Sequence, residues 1–169
     1  MKVFLIGYMG SGKSTIGKKL AEKLKLNFID LDGFIETESR KTISEIFESE
    51  GEEKFRSLEQ KYLAEIIKKD NAVISLGGGT PCFNNNMELI NKNGISIYIE
   101  MSVDTLVKRL IKARKKRPLI QGMNEMDLKK FVEANLERRL PYYTQASHTI
   151  KVEEQSIANI VACVASLIN

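Results

Sequence analysis

Near the N-terminus, Gly7-Tyr8-Met9-Gly10-Ser11-Gly12-Lys13-Ser14 fits the pattern G-x-x-x-x-G-K-[ST]. This pattern restricts the fold, because its chemistry works only where a buried strand delivers the loop and a helix starts at its end. Both flanks agree. Val3-Phe4-Leu5-Ile6 is a continuous apolar run of the kind buried on both faces in a parallel sheet. After the loop, Ile16, Leu20 and Leu24 recur every fourth position along one helical face. Glycines let the backbone N–H groups converge on phosphate oxygens, and the helix N-terminus adds partial positive charge. Lys13 would reach the β and γ phosphates and Ser14 would ligate magnesium. Gly10, Ser11, Gly12 and Thr15 would complete the nucleotide cradle. The competing reading, a glycine-rich turn that matches by accident, is disfavoured by the strand and helix around it.

A P-loop by itself establishes nucleotide binding only; kinases, GTPase switches and nucleic-acid motors all carry one. No Asn-Lys-x-Asp guanine-recognition sequence is present, and 169 residues leave no room for the further motifs of a helicase core. No apolar strand ends in the usual Walker-B aspartate, so the magnesium partner must come from elsewhere. An ATP-dependent kinase acting on a small acceptor remains.

Further apolar strands are predicted at Asn27 to Leu31, Ala72 to Leu76, Ile95 to Ile99 and His148 to Val152. Between them, Thr42-Ile43-Ser44-Glu45 matches a capping box opening helical spacing over much of 43–68, and Ser102 is placed to cap a helix from about Val103. Ile157, Ile160, Val161, Val164 and Ile168 form the stripe of a closing helix. The βα alternation predicts one three-layer α/β domain over 1–169, with a largely parallel sheet of about five strands. The least regular stretch, about Lys112 to Met126, reads as a mobile lid.

Composition narrows the setting. A 43% hydrophobic chain of this length buries a core without cross-links, and Cys82 and Cys163 have no ligand-like spacing. Both cysteines read as small buried apolar residues. No apolar run approaches the roughly 20 residues of a membrane span, and no signal peptide is evident, so a cytoplasmic protein with no membrane partner is expected. The net charge is +4 and the pI near 9.0. Lys108, Arg109, Lys112, Arg114, Lys115, Lys116 and Arg117 cluster closely, which suits phosphate, nucleic acid or a solvated helix face. His148, the lone histidine, reads as structural.

Asp30-Leu31-Asp32 ends the second predicted strand. If extended there, it points both carboxylates to one side as metal partner and base; otherwise Asp32 caps a helix starting near Gly33. Arg56 by itself reads as a surface partner of Glu52 one turn away. Gly77-Gly78-Gly79 follows a strand and suggests either a ligand approaching the main chain or a tight turn.

Taken together, these residues resemble shikimate kinase over nearly the whole chain. The likeness rests on the P-loop, Asp30-Leu31-Asp32, Ile46-Phe47 with Gly51-Glu52 and Phe55-Arg56, Ser75-Leu76-Gly77-Gly78-Gly79, Arg117-Pro118-Leu119, and Arg138-Arg139 before Pro141-Tyr142-Tyr143. The resemblance implies a nucleoside-monophosphate-kinase-like fold in which ATP and magnesium phosphorylate the 3-hydroxyl of shikimate, in chorismate and aromatic amino-acid biosynthesis. By it, Asp32 would hold the acceptor hydroxyl and Asp30 would help place magnesium through water. Arg56, Arg139 and Gly77, Gly78 and Gly79 would bind shikimate between Phe47 and Phe55. Arg117 would steady the phosphates from the lid, while Arg109 and Gln155 would flank adenine. A monomer without nucleic acid is expected. The rival readings are a gluconate-kinase-like enzyme, which leaves the arginines with less to do, and a nucleotide-dependent nucleic-acid-binding protein suggested by the basic cluster.

Overall fold

A computed structural model describes residues 1–113, 120–153 and 155–168. The chain runs β1 (Lys2–Ile6), α1 (Lys13–Leu24), β2 (Asn27–Asp30), α2 (Leu31–Ser39), α3 (Ile43–Ile66), β3 (Ala72–Ser75), a 3-10 turn (Thr80–Cys82), α4 (Asn86–Asn93), β4 (Ile95–Glu100), α5 (Val103–Ala113), α6 (Glu125–Tyr143), β5 (His148–Lys151) and α7 (Ile157–Ile168). The five strands pair parallel in the order β2-β3-β1-β4-β5. Val3 to Ile6 and all of β3 are buried. Because successive strand residues face opposite ways, burial of every one means that helices cover both faces, giving three layers.

The site is positioned by register. Leu5 of β1 and Asp30 of β2 both pair with Ser75 of β3, so these three strands end in line. Chain order reverses about β1, with β3 on one side and β4 on the other, which opens a crevice at the carboxyl ends of the strands. The P-loop, the aspartates and the glycine triplet all leave the sheet into it.

Local chemistry sets the helix starts. Thr42 and Glu45 form the expected capping box: Thr42 Oγ1 accepts from Glu45 N–H at 3.2 Å, and Glu45 accepts from Thr42 N–H at 2.7 Å. Ser102 Oγ accepts from Thr105 N–H at 3.3 Å at the start of α5. Gly51, at φ 82° and ψ 173°, breaks α3 into two helical pieces, and the Phe47 and Phe55 rings on either side of the break meet at 4.7 Å.

Three expectations need correction. The Asp30-Leu31-Asp32 segment is not extended: Asp30 caps α2 by accepting from Gly33 N–H, and Asp32 lies in the first helical turn. The ends of the Lys112 to Met126 stretch are helical, since α5 includes Lys112 and Ala113 and α6 begins at Glu125, capped by Asn124, while residues 114–119 of the expected lid lie outside the described residues. Cys163 is exposed and Cys82 only partly buried, because Cys163 falls on the outer side of α7.

Gly94 joins α4 to β4 against the edge of β1. A Cβ there would stand 2.6 Å from the Lys2 carbonyl oxygen and 2.8 Å from the Phe4 ring. Backbone at a sheet centre cannot move aside cheaply, so Gly94→Ala should lose about 1–3 kcal/mol in urea denaturation, with the m-value unchanged.

Candidate active site

A cleft of about 430 Å³ lies at the strand ends and is lined by Gly10, Gly12, Lys13, Ser14, Thr15, Asp30, Asp32, Ser75, Gly77, Gly78 and Arg109, among others. The P-loop forms one wall, with Gly10 and Gly12 at φ 85° and 93°, where a side chain would be strained. Lys13 Nζ donates to the carbonyls of Gly7 at 2.8 Å and Tyr8 at 3.0 Å, so the ammonium is held within the loop. Ser11 is buried beside it. Arg109, from α5, reaches across to the Gly10 carbonyl at 3.4 Å.

Ser14 Oγ donates to Asp30 Oδ2 at 2.6 Å and lies 3.5 Å from Ser75 Oγ. A hydroxyl, a carboxylate and a second hydroxyl thus converge where β1, β2 and β3 end. Such an all-oxygen set suits magnesium, which favours hard ligands, takes few from protein and completes its shell with phosphate and water. Ser75 occupies the strand end where a Walker-B aspartate usually stands, and the sequence reading passed it over because serine there has no local signature.

Each glycine of the triplet leaves room for a different functional side chain. A Cβ on Gly77 would stand 2.7 Å from Asp32 Oδ1; one on Gly78, 3.1 Å from Arg139 Nη1; one on Gly79, 2.8 Å from both Nη1 and Nη2 of Arg56. Asp32, Arg139 and Arg56 therefore gather around one short loop. The Arg139 guanidinium lies 5.2 Å from the centre of the Tyr8 ring, which brings the P-loop into the same group.

Glu59 was missed by sequence reasoning. It is buried on α3, accepts from Arg56 Nη1 at 2.9 Å and also accepts from Thr80 Oγ1. Its position three residues after Arg56 was the available signal. Burial pushes the Asp32 carboxyl up to about 6, helped by the negative charges of Asp30 and Glu59 and opposed by Lys13. A carboxylate poised there is ionised at neutral pH and still able to take a proton.

Phe47 and Phe55 stack beside Arg56, whose Cζ lies 5.0 Å from the Phe55 ring centre. Gln155 is exposed just past β5. Its neighbour Glu153 accepts bonds from Ser102 and Thr105, which with the nearby Arg109 charge hold its carboxyl below the usual range. Arg109 and Glu153 are thereby neighbours. Arg117 lies outside the described residues. His148 sits partly buried on β5.

A P-loop at the head of a five-stranded parallel sheet, beside a glycine loop that gathers two arginines and a carboxylate, defines a P-loop kinase for a small acceptor. The sequence profile of shikimate kinase matches residues 9–169. A shikimate kinase of Azobacteroides pseudotrichonymphae is 50% identical over 161 residues, covering 95% of each chain. The crystal structure of shikimate kinase from Bacteroides thetaiotaomicron superposes with TM-score 0.94 at 41% identity, over 99% of this chain and 97% of that one. Shikimate kinase from Acinetobacter baumannii, in complex with shikimate, gives 0.89 at 33% identity, over 99% and 92%. The chain belongs to the shikimate kinase family.

The raised Asp32 value has a stability consequence. Folding carries this carboxyl from an ordinary 3.8 to about 6, so the folded state prefers it protonated. Its ionisation weakens the fold progressively as pH rises through that window, and fully above it. Asp32→Asn should be more stable than the parent at pH 8, by on the order of 1–2 kcal/mol, and the gain should vanish toward pH 4 in thermal melts.

Proposed function

We propose that this enzyme transfers the γ-phosphoryl group of ATP to the 3-hydroxyl of shikimate, releasing ADP and shikimate 3-phosphate. The observation that carries the reading is the gathering of Asp32, Arg56 and Arg139 around the glycine triplet, beside the P-loop. Shikimate has one carboxylate and three hydroxyls. Guanidinium forks suit the acid, an ionised carboxylate suits a hydroxyl, and the two kinds of group stand on one loop.

In this reading, the N–H groups of Gly10 to Thr15 hold the phosphates, and Lys13 turns from the Gly7 and Tyr8 carbonyls to the β and γ phosphates. Arg109 and Gln155 flank the adenine. Ser14, with Asp30 acting through water, would hold a magnesium ion, which when bound neutralises charge on the phosphates. Arg56 and Arg139 bind the acceptor carboxylate, with Gly77, Gly78 and Gly79 as floor and Phe47 and Phe55 as wall. Asp32 orients the 3-hydroxyl and takes its proton as the oxygen bonds to phosphorus and the bridging oxygen of ADP departs. Arg117 is assigned to the transferring phosphoryl group from the sequence likeness alone. No helix among the described residues is long and apolar enough to cross a membrane, and the two thiols are unpaired, which suits a reducing cytoplasm. We take the enzyme as a monomer that binds no nucleic acid.

Coupled ADP release measured with shikimate, gluconate and nucleoside monophosphates tests the acceptor. Shikimate alone should support turnover, and Lys13→Ala should nearly abolish it while the protein remains folded. Turnover with gluconate instead would replace the substrate assignment.

The acceptor residues should divide by role. Arg139→Ala should chiefly raise the shikimate KM, through loss of a charge-assisted contact of about 1.5–3 kcal/mol, and leave the ATP KM nearly unchanged. Asp32→Asn, which keeps the shape and loses the proton acceptor, should lower kcat by on the order of 10² to 10⁴. In the parent, kcat/KM should fall as pH drops through about 6 and Asp32 becomes protonated. A flat profile from pH 5 to 8 would remove Asp32 as the proton acceptor.

A further inference from the structure

Phe83 plays no part in the reading above, yet its ring lies against the site's first arginine. The Arg56 Cζ stands 4.0 Å from the centre of the Phe83 ring, closer than to Phe55. At 38% exposure Phe83 is one of the more solvent-exposed large apolar residues, so it is not explained by core packing.

The chain around it is constrained to hold it there. Residues 80–86 form a strap between β3 and α4, with Pro81 in the 3-10 turn. At the near end, Thr80 donates to Glu59, the same carboxylate that accepts from Arg56. Immediately after Phe83, Asn84 and Asn85 both adopt left-handed backbone, at φ 53° and 55°, a costly pair of conformations outside glycine that asparagine tolerates best. Asn86, buried, closes the strap by donating its amide to the Thr80 carbonyl at 2.8 Å. Asn84 reaches the carbonyl of Arg56 itself at 3.4 Å. The strap thus meets α3 at Glu59, at the Arg56 backbone and at the Arg56 guanidinium.

In the plane of the guanidinium, Nε and Nη2 donate to Glu52 at 3.3 and 3.1 Å, and Nη1 donates to Glu59 at 2.9 Å. Of the five N–H donors, these bonds among the described residues leave one on Nη1 and one on Nη2. Those two nitrogens are the pair equidistant from Gly79, so the free edge of the fork points into the space kept by the missing Cβ. Carboxylates fix the fork in its plane, and the aromatic face stops it from tilting out.

We infer that Phe83 is a positioning residue, whose ring holds the Arg56 guanidinium flat so that its free Nη1/Nη2 edge is preorganised for the acceptor's carboxylate. The inference rests on the acceptor-site reading of Arg56 and adds the device that orients it. An exposed cation–π contact is modest, and the expected effect is correspondingly modest.

The test is shikimate kinetics on Phe83→Ala, Phe83→Tyr, Arg56→Ala and the Phe83→Ala/Arg56→Ala double variant, with thermal midpoints alongside. Phe83→Ala should raise the shikimate KM roughly three- to tenfold, with kcat and the ATP KM within about twofold. Phe83→Tyr should restore the parent value, and the double variant should be no worse than Arg56→Ala, since the ring acts through that arginine. An unchanged KM in Phe83→Ala, failure of tyrosine to restore it, or additive losses in the double variant would each overturn the inference. Should Arg56→Ala itself leave the shikimate KM unchanged, the acceptor-site reading fails, and the role of Phe83 fails with it.

Discussion

The arrangement of the site depends on three missing β-carbons. Gly77, Gly78 and Gly79 have unexceptional φ values, so it is space rather than backbone freedom that keeps them glycine. Added side-chain carbons would collide with Asp32 at Gly77 and with Arg56 at Gly79, at 2.7 and 2.8 Å, and would crowd Arg139 at Gly78, at 3.1 Å. Those side chains come from α2, α6 and α3, elements distant in sequence that share only this loop as a meeting point. The loop in turn is set by β3, whose register against β1 and β2 places it beside the P-loop. Gly78 is packed from two sides: its would-be Cβ lies 3.4 Å from the Gly7 carbonyl, and its own carbonyl accepts from the Tyr143 hydroxyl at 2.6 Å.

Charge burial around this loop runs against stability. Asp32, Glu59 and Asp30 are close enough to raise the Asp32 carboxyl, and only Lys13 opposes them appreciably. Proteins keep such arrangements where function needs a group that is fixed, partly desolvated and ready to exchange a proton. Glu59 has a double effect, since it neutralises Arg56 locally while adding to the negative field at Asp32. Arg56 and Asp32 are therefore linked through one buried carboxylate.

Much of this was legible in the sequence where the signal is local. The five strands, carrying Val3, Phe28, Val73, Ile97 and Ile150, fall where they were predicted, and the capping box at Thr42 and the P-loop need only a few adjacent residues. Long-range meanings were not legible. The glycine triplet suggested either a ligand near the main chain or a tight turn, and could not show that a carboxylate and two guanidinium groups from three helices also close on it. Helix α6 escaped notice because few of its residues are buried, Leu128, Val132 and Tyr143 among them, and because Pro141 reads as a stop although it sits in the last turn. For Asp30 and Asp32 the sequence left an extended pair and a helix cap at Asp32 both open, because alternation cannot reveal that a helix begins between them with Asp30 as its cap. Glu59 offered only its spacing from Arg56, and Ser75 counted only as the start of the glycine motif; their contacts appear when Thr80 and Ser14 are brought beside them.

The central claim is that one acceptor molecule bridges groups gathered by the glycine loop. A crystal structure with shikimate and a nonhydrolysable ATP analogue bears on it most directly. The account predicts the shikimate carboxylate on the free edges of Arg56 and Arg139, its ring over Gly77 to Gly79, and its 3-hydroxyl within hydrogen-bond distance of Asp32, facing the γ phosphate. Shikimate bound with its carboxylate turned toward Asp32 and the P-loop, or bound outside the glycine loop altogether, would contradict it.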